Sequence, residues 1–266
     1  MHMDLKLKNK TAVILGGTRG IGRSIANTFA EEGANVAICA RNQEQVDEAV
    51  AALSGMGVKA VGASVDVTDA AALKDWIASV GETFGQIDCL VSNAGAMAQG
   101  NDTQSWQKNF DLDVLGCVNA IEAAEPFLTK AGAANGDASI VIITSISAAV
   151  ADQASSYGPI KASLIHLSKG LARQQAAQNI RVNTVSPGMV YFEGGVWHQV
   201  EQNMPEFYAK AIRRVPSKRC ATPEEIANAA VFLSSPISSY TTGINLIVDG
   251  SITCLLYTSP SPRDRG

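Results

Sequence analysis

The chain has 266 residues, of which 46% are hydrophobic and 17% charged, and its net charge is −4. Such a chain can bury the core of one large domain without help from disulfides or metals, and its composition excludes a disordered polymer. The acidic balance gives no basis for a nucleic-acid or anionic-membrane partner. No apolar run reaches the ~18 residues of a spanning helix. Residues 1–10 lack the apolar stretch of a secretion signal, and the five cysteines show no CxxC pairing, so a reducing cytoplasm, no disulfide and no metal are expected.

In chain order, short apolar runs at 12–15, 36–40, 60–65, 89–92, 140–144, 182–185 and 246–248 read as strands. Stretches of helical length lie between them at 21–32, 43–56, 70–84 and 103–130, and the small residues at 131–137 read as a loop. Alternation of this kind predicts an α/β fold: a single-domain, doubly wound, Rossmann-type parallel sheet of seven strands with helices on both faces. The domain is expected over residues 3–253. The alternation fails between about 190 and 221, which marks a small substrate lid.

Gly16, Gly17, Thr18, Arg19, Gly20, Ile21 and Gly22 follow the first strand and open the first helix. Glycines let the backbone approach a pyrophosphate, and a helix N-terminus offers free N–H groups to its charge. Strand, loop and helix in this order point to a dinucleotide. The second strand ends in Arg41, where an acid would hold the ribose hydroxyls of NAD; a guanidinium suits a 2′-phosphate instead, with Arg19 able to join it. The reading is therefore NADPH/NADP+, the alternative being two ordinary surface arginines.

Tyr157 and Lys161 lie four apart, on one face of a helix. A phenol ordinarily releases its proton near pH ~10, and an ammonium beside it stabilises the phenolate. The pair can then give a proton to a carbonyl oxygen that receives hydride. It follows the fifth strand, whose end carries Thr144 and Ser145 at the edge where open α/β sheets bind ligands. Ser145 either hydrogen-bonds the substrate oxygen there or caps its own loop.

Over residues 6–252 the chain resembles the short-chain dehydrogenase/reductase family, in particular its branch of 3-oxoacyl-carrier-protein reductases and related ketoreductases. The resemblance rests on Gly16, Gly20 and Gly22, Asp66-Val67, Asn93-Ala94-Gly95, Ser145, Tyr157 and Lys161, Asn183, Pro187-Gly188, and the stretch from Pro223-Glu224-Glu225 to Val248-Asp249-Gly250. It implies reversible reduction of a ketone or aldehyde, with Tyr157 as acid/base, Lys161 on the nicotinamide ribose and Ser145 on the carbonyl. It further implies Asp66 and Val67 at the adenine, Asn93, Ala94 and Gly95 behind the cofactor, and Pro187, Gly188 and Val190 at the nicotinamide.

Four positions depart from the family pattern: Leu15 and Phe192 each stand where a Thr is usual. The interval from Ser145 to Tyr157 is one residue short, which leaves Thr144 as a substitute for Ser145. Asp113 occupies the fourth catalytic position, normally Asn, whose main-chain carbonyl holds a water leading to the lysine. The lid's Met189, Tyr191, Phe192, Trp197, Met204, Phe207 and Tyr208 suit a bulky or aromatic carbonyl substrate or, equally, packing of the lid onto the core. His198 lacks a metal or base partner in this reading. The resemblance also implies a homotetramer. Residues 254–266 resemble the translation of a sequencing adapter, as at the end of a truncated metagenomic gene, and are set aside as a non-native tail. The competing reading is an NADP(H)-binding sensor or regulatory protein with little turnover, supported by Asp113 and Phe192.

Overall fold

A computed structural model describes residues 4–151 and 153–253; the adapter-like tail lies outside the described residues. Seven strands, β1 (Thr11–Leu15), β2 (Asn35–Ala40), β3 (Ala60–Ser64), β4 (Cys89–Ser92), β5 (Ala138–Ile143), β6 (Ile180–Pro187) and β7 (Asn245–Val248), form one sheet in the order β3-β2-β1-β4-β5-β6-β7. Every pairing is parallel. This is the doubly wound architecture expected from the sequence.

The helices are α1 (Gly20–Glu31), α2 (Gln43–Gly55), α3 (Ala70–Phe84), α4 (Thr103–Asn109), α5 (Gly116–Asn135), α6 (Tyr157–Gln175), α7 (Val196–Asn203), α8 (Pro205–Arg214) and α9 (Pro223–Ser234). Alternate strand residues face opposite layers. Val13, Leu15, Leu90, Ile140 and Val182 pack with Leu73 and Ile77 of α3, Ala124 and Leu128 of α5 and Leu164 of α6. Ile14, Ile38, Val91, Val141 and Val185 pack with Ile25 and Phe29 of α1, Leu53 of α2 and Ile226 and Val231 of α9. Burial on both faces explains why these strands are continuous apolar runs. No described helix is long and apolar enough to cross a membrane.

One expectation about the middle of the chain is corrected and another refined. Residues 131–135 continue α5 and do not form a loop; the helix ends at Gly136, whose φ is +72°. Within the helix, position 132 takes glycine because a Cβ there would run into the Gln178 carbonyl oxygen. The stretch from 103 to 130 is helical throughout, as expected, but a π-helical segment, Phe110–Leu115, interrupts the α geometry between α4 and α5. Such wide turns insert a residue and re-aim the side chains around them; here the segment carries Asp113.

The sheet's direction of winding reverses between β1 and β4, which are neighbours. The crevice beyond the carboxyl ends of these two strands is where a doubly wound sheet takes its ligand. The glycine loop leaves β1 there and Asn93 leaves β4. The Asn93 amide stitches the two together, donating to the carbonyls of Leu15 at 3.3 Å and Gly16 at 3.1 Å.

Candidate active site

The glycine loop needs its glycines for two separate reasons. Gly16 and Gly20 have φ of +74° and +53°, a region L side chains rarely adopt. Gly22 is right-handed, but a Cβ there would lie 2.1 Å from the Gly16 carbonyl oxygen, so helix and loop touch backbone to backbone. Arg19 at the N-cap of α1 caps it with no side-chain hydrogen bond, whereas α2, α3, α4 and α9 are capped by Asn42, Asp69, Asp102 and Thr222. The first-turn N–H groups of α1 thus remain for an anion. Thr18 is half-buried in this turn and Ile21 packs against the core behind it.

Arg19 and Arg41 are both exposed. Asp66, also exposed, accepts from the N–H and hydroxyl of Thr68, at 3.0 and 2.8 Å. Those bonds, with Arg41 adding its charge, hold the carboxyl below its usual range. Val67 is buried, and its side chain lies against Gly116 at the start of α5.

Tyr157 opens α6 and Lys161 lies one turn further on. The Lys161 ammonium sits 5.7 Å from the centroid of the Tyr157 ring and donates to the Ile143 carbonyl at 3.3 Å. Its third neighbour is Asp113: Oδ2 lies 3.1 Å from Nζ, in a pair almost closed to solvent. Burial works against the ammonium, but Tyr157 and Asp113 outweigh it and hold the lysine above its ordinary pKa. The other Asp113 oxygen, Oδ1, accepts the Ala96 N–H at 2.7 Å. The carboxylate itself therefore meets the lysine, where the family resemblance implied only a main-chain carbonyl and a water. Gly95 lies against both groups, its Cβ position 3.3 Å from Lys161 Nζ. The phenolic hydroxyl of Tyr157 has no hydrogen bond to any described residue, which leaves it open to a ligand.

Ser145 is half-buried and accepts the Ser147 N–H at 3.2 Å, so its hydroxyl caps the short 3₁₀ turn Ile146–Ala148. The hydroxyl proton is not used in that bond and can still point to a substrate oxygen. Thr144 is not a free substitute. It is buried, donates to the Val185 carbonyl at 2.9 Å and meets the Ser186 hydroxyl at 2.7 Å. Asn183 acts structurally too, since its amide donates to Thr241 and accepts from Ile244. Pro187 ends β6; Gly188 packs against Asp249, and Val190 pairs with Ala221, closing the base of the two-helix excursion α7–α8.

Within that excursion the aromatic residues divide. Tyr191, Trp197, His198 and Tyr208 stack edge-on or tilted against one another, and Tyr191 donates to Glu201 at 2.6 Å. Packing accounts for these four. His198 Nδ1 accepts the Gly194 N–H at 3.2 Å. Met204 and Phe207 are exposed. Phe192 turns the other way and lays its ring on Gly20, with Cζ 2.5 Å from the position a Cβ would take. In the sequence, position 192 shows only a Phe where a Thr is usual. Sequence reasoning does not single out Asn109 and Ser156, both fully buried, which tie the loop after β4 to the start of α6. The one signal available was that Asn109 stands one helical turn before Asp113.

The family profile described as enoyl-(acyl carrier protein) reductase matches residues 16–253. Isoepoxydon dehydrogenase from Aspergillus clavatus is 36% identical over 257 residues, 95% of this chain and 98% of that protein. The chain belongs to the short-chain dehydrogenase/reductase family. A 3-oxoacyl-[acyl-carrier-protein] reductase from Chlamydia pneumoniae is 32% identical, over 94% of this chain and all of that one. The crystal structure of L-sorbose reductase from Gluconobacter frateurii, complexed with NADPH and L-sorbose, superposes with a TM-score of 0.87 at 31% identity, covering 96% of this chain and 100% of that one. As a short-chain dehydrogenase/reductase, this chain is an oxidoreductase built for a nicotinamide cofactor. Within that fold the chain carries a buried Asp113–Lys161 pair and a Phe192 ring laid on the glycine loop.

Proposed function

We propose that the protein is an NADPH-dependent carbonyl reductase of the ketoreductase branch, running reversibly between a ketone or aldehyde and its alcohol. The observation that carries the reading is the buried row Tyr157, Lys161 and Asp113 beside a phenolic hydroxyl that no described residue engages. The uncapped N-terminus of α1 and the close glycine backbone fit a dinucleotide pyrophosphate. Gly16, Thr18, Arg19, Gly20, Ile21 and Gly22 would hold it, with Asp66, Val67, Asn93, Ala94, Gly95, Pro187, Gly188 and Val190 along its length. The Phe192 ring would turn aside from Gly20 to admit it. When bound, the nicotinamide supplies the hydride.

The chain's own part is to hold the carbonyl and move a proton. Ser145 donates to the substrate oxygen, Tyr157 Oη delivers the proton, and Lys161 supplies the positive field that makes the phenol a usable acid. Asp113 acts through Lys161 as a positioning residue. Residues 190–221 form the lid and 3–253 the catalytic domain. The exposed Trp106, Phe110 and Leu115 suit the homotetramer implied by the family resemblance.

The cofactor assignment is tested through Arg41. Arg41→Ala is expected to raise the NADPH KM about 10–100-fold, the worth of a hydrogen bond to a charged group, and to leave the NADH KM nearly unchanged. Equal efficiency with NADH and NADPH in the parent protein would contradict the assignment.

Asp113 is tested by pH. A carboxylate favours the charged ammonium beside it, so removing Asp113 lowers the Lys161 pKa that the pair now raises, and with it the alkaline limb of the site. Asn keeps an oxygen for the Ala96 N–H, so the loop is preserved. Cys117, which burial pushes up to about 11, stays protonated through the working range. In Asp113→Asn the alkaline rise of alcohol oxidation is expected about 1 pH unit lower. An unmoved profile would mean that the carboxylate does not act on the pair.

A further inference from the structure

We infer that Met97 is the residue that contacts the substrate's apolar substituent, held in place at the rim of the site by Asn109, Asp113 and Ser156. The inference rests on the carbonyl-reductase reading and deepens it.

Met97 has φ +54°, a left-handed backbone that a residue with a Cβ adopts at a cost, and its side chain is 47% exposed. Such a conformation persists only where the surroundings over-determine it, and these positions cluster at ligand sites. Here the surroundings are explicit. On one side of Met97, the Ala96 N–H donates to Asp113 Oδ1 at 2.7 Å. On the other, the Ala98 N–H donates to Asn109 Oδ1 at 3.0 Å, and the Ala98 carbonyl accepts from Asn109 Nδ2 at 2.9 Å. Two residues further on, the Gly100 carbonyl accepts both the N–H and the hydroxyl of Ser156, each at 2.9 Å. Asn109 Nδ2 also donates to Ser156 Oγ at 2.8 Å, joining the anchors to one another. Asn109 and Ser156 have no solvent exposure.

These anchors connect the loop to the chemistry. Asp113 is the partner of Lys161, and Ser156 immediately precedes Tyr157. Gly95, two residues before Met97, lies against the Lys161 ammonium. The loop therefore runs along the catalytic row, pinned on both sides of one exposed residue with a strained backbone. Three buried polar side chains spent on one loop of a few residues are out of proportion to an ordinary surface turn, whose backbone water would satisfy. Methionine is unbranched and polarisable, which suits contact with apolar groups of varied shape. The substrate class this selects is a ketone with an extended apolar substituent on one side of the carbonyl.

Met97→Gly separates contact from folding, because glycine adopts φ +54° without the Cβ cost. Kinetics with NADPH are measured for a pair of ketones, one carrying an aryl or cyclohexyl group and one of four carbons. The ratio of kcat/KM for the bulky over the small ketone is expected to fall ~10-fold or more, as for loss of apolar contact in a pocket, mostly through KM for the bulky ketone. The melting temperature is expected to hold or rise. Asn109→Asp keeps the acceptor for Ala98 and removes the amide donor; it is expected to shift the same ratio in the same direction. An unchanged ratio in Met97→Gly would overturn the inference, and so would a rise in the NADPH KM matching that of the ketone, which would put Met97 at the cofactor. A parent protein that turns over neither ketone would overturn the reading beneath it.

Discussion

Replacement of Tyr157 by phenylalanine is expected to lower kcat/KM for ketone reduction by ~10²–10⁴-fold, the usual worth of a positioned general acid, and by more if the hydroxyl also orients the carbonyl. The ring stays, so packing at the start of α6 and the approach of Lys161 to the ring face are preserved. The hydroxyl holds no other described residue in place, so its loss disturbs no structural bond. NADPH binding, followed by fluorescence titration, is expected to stay within about threefold of the parent, well under ~1 kcal/mol. Loss of turnover with retained binding separates the proton step from the cofactor site. Turnover near the parental rate would assign the proton to another acid.

The second large effect is on stability and lies at the opposite end of the sheet. Arg181, near the start of β6, pairs with Asp137 through Nε at 2.6 Å and Nη2 at 3.1 Å. It also donates to the carbonyls of Leu233 and Ser235 and to the Ser238 hydroxyl, tying the end of α9 to the sheet. Both charged groups are nearly buried. Arg181→Leu leaves Asp137 without its counter-charge and these carbonyls without their donor. Breaking such a pair costs about 3–5 kcal/mol, which for a domain of this size is roughly 6–20 °C in Tm. The site lies beyond the other ends of the strands, so kcat of the folded fraction is expected to stay close to parental. A Tm within about 2 °C of the parent, corresponding to ~1 kcal/mol or less, would mean that the network breaks even against an apolar replacement.

The fold was legible because its signals are local and agree: strands buried on both faces read as apolar runs, and Gly16, Gly20 and Gly22 are demanded by backbone geometry. Tyr157 and Lys161 were legible because helical spacing brings them together without any tertiary information. What the sequence hid depends on approach between distant segments. Gly132 looks like a loop residue until the Gln178 carbonyl is found against it. The π-helical turn at Phe110–Leu115 has no sequence period of its own, yet the segment carries Asp113, whose carboxylate reaches Lys161. Thr144 looked available beside Ser145 until β6 supplied Val185 and Ser186 as its partners. Asn109 reads as an ordinary polar residue on a helix; only tertiary contacts give it three hydrogen bonds in a closed environment.

The central claim is carbonyl reduction at the expense of NADPH, and its most direct test is the stoichiometry of the parent protein with aryl and cyclic ketones. The account predicts that NADPH absorbance falls only when ketone is added, that one alcohol forms per NADPH consumed, and that NADH serves at least tenfold less well at equal concentration, a difference of about 1.4 kcal/mol or more. NADPH that binds tightly with no alcohol formed from any ketone or aldehyde would contradict it, and would favour a protein that senses the cofactor without turning it over.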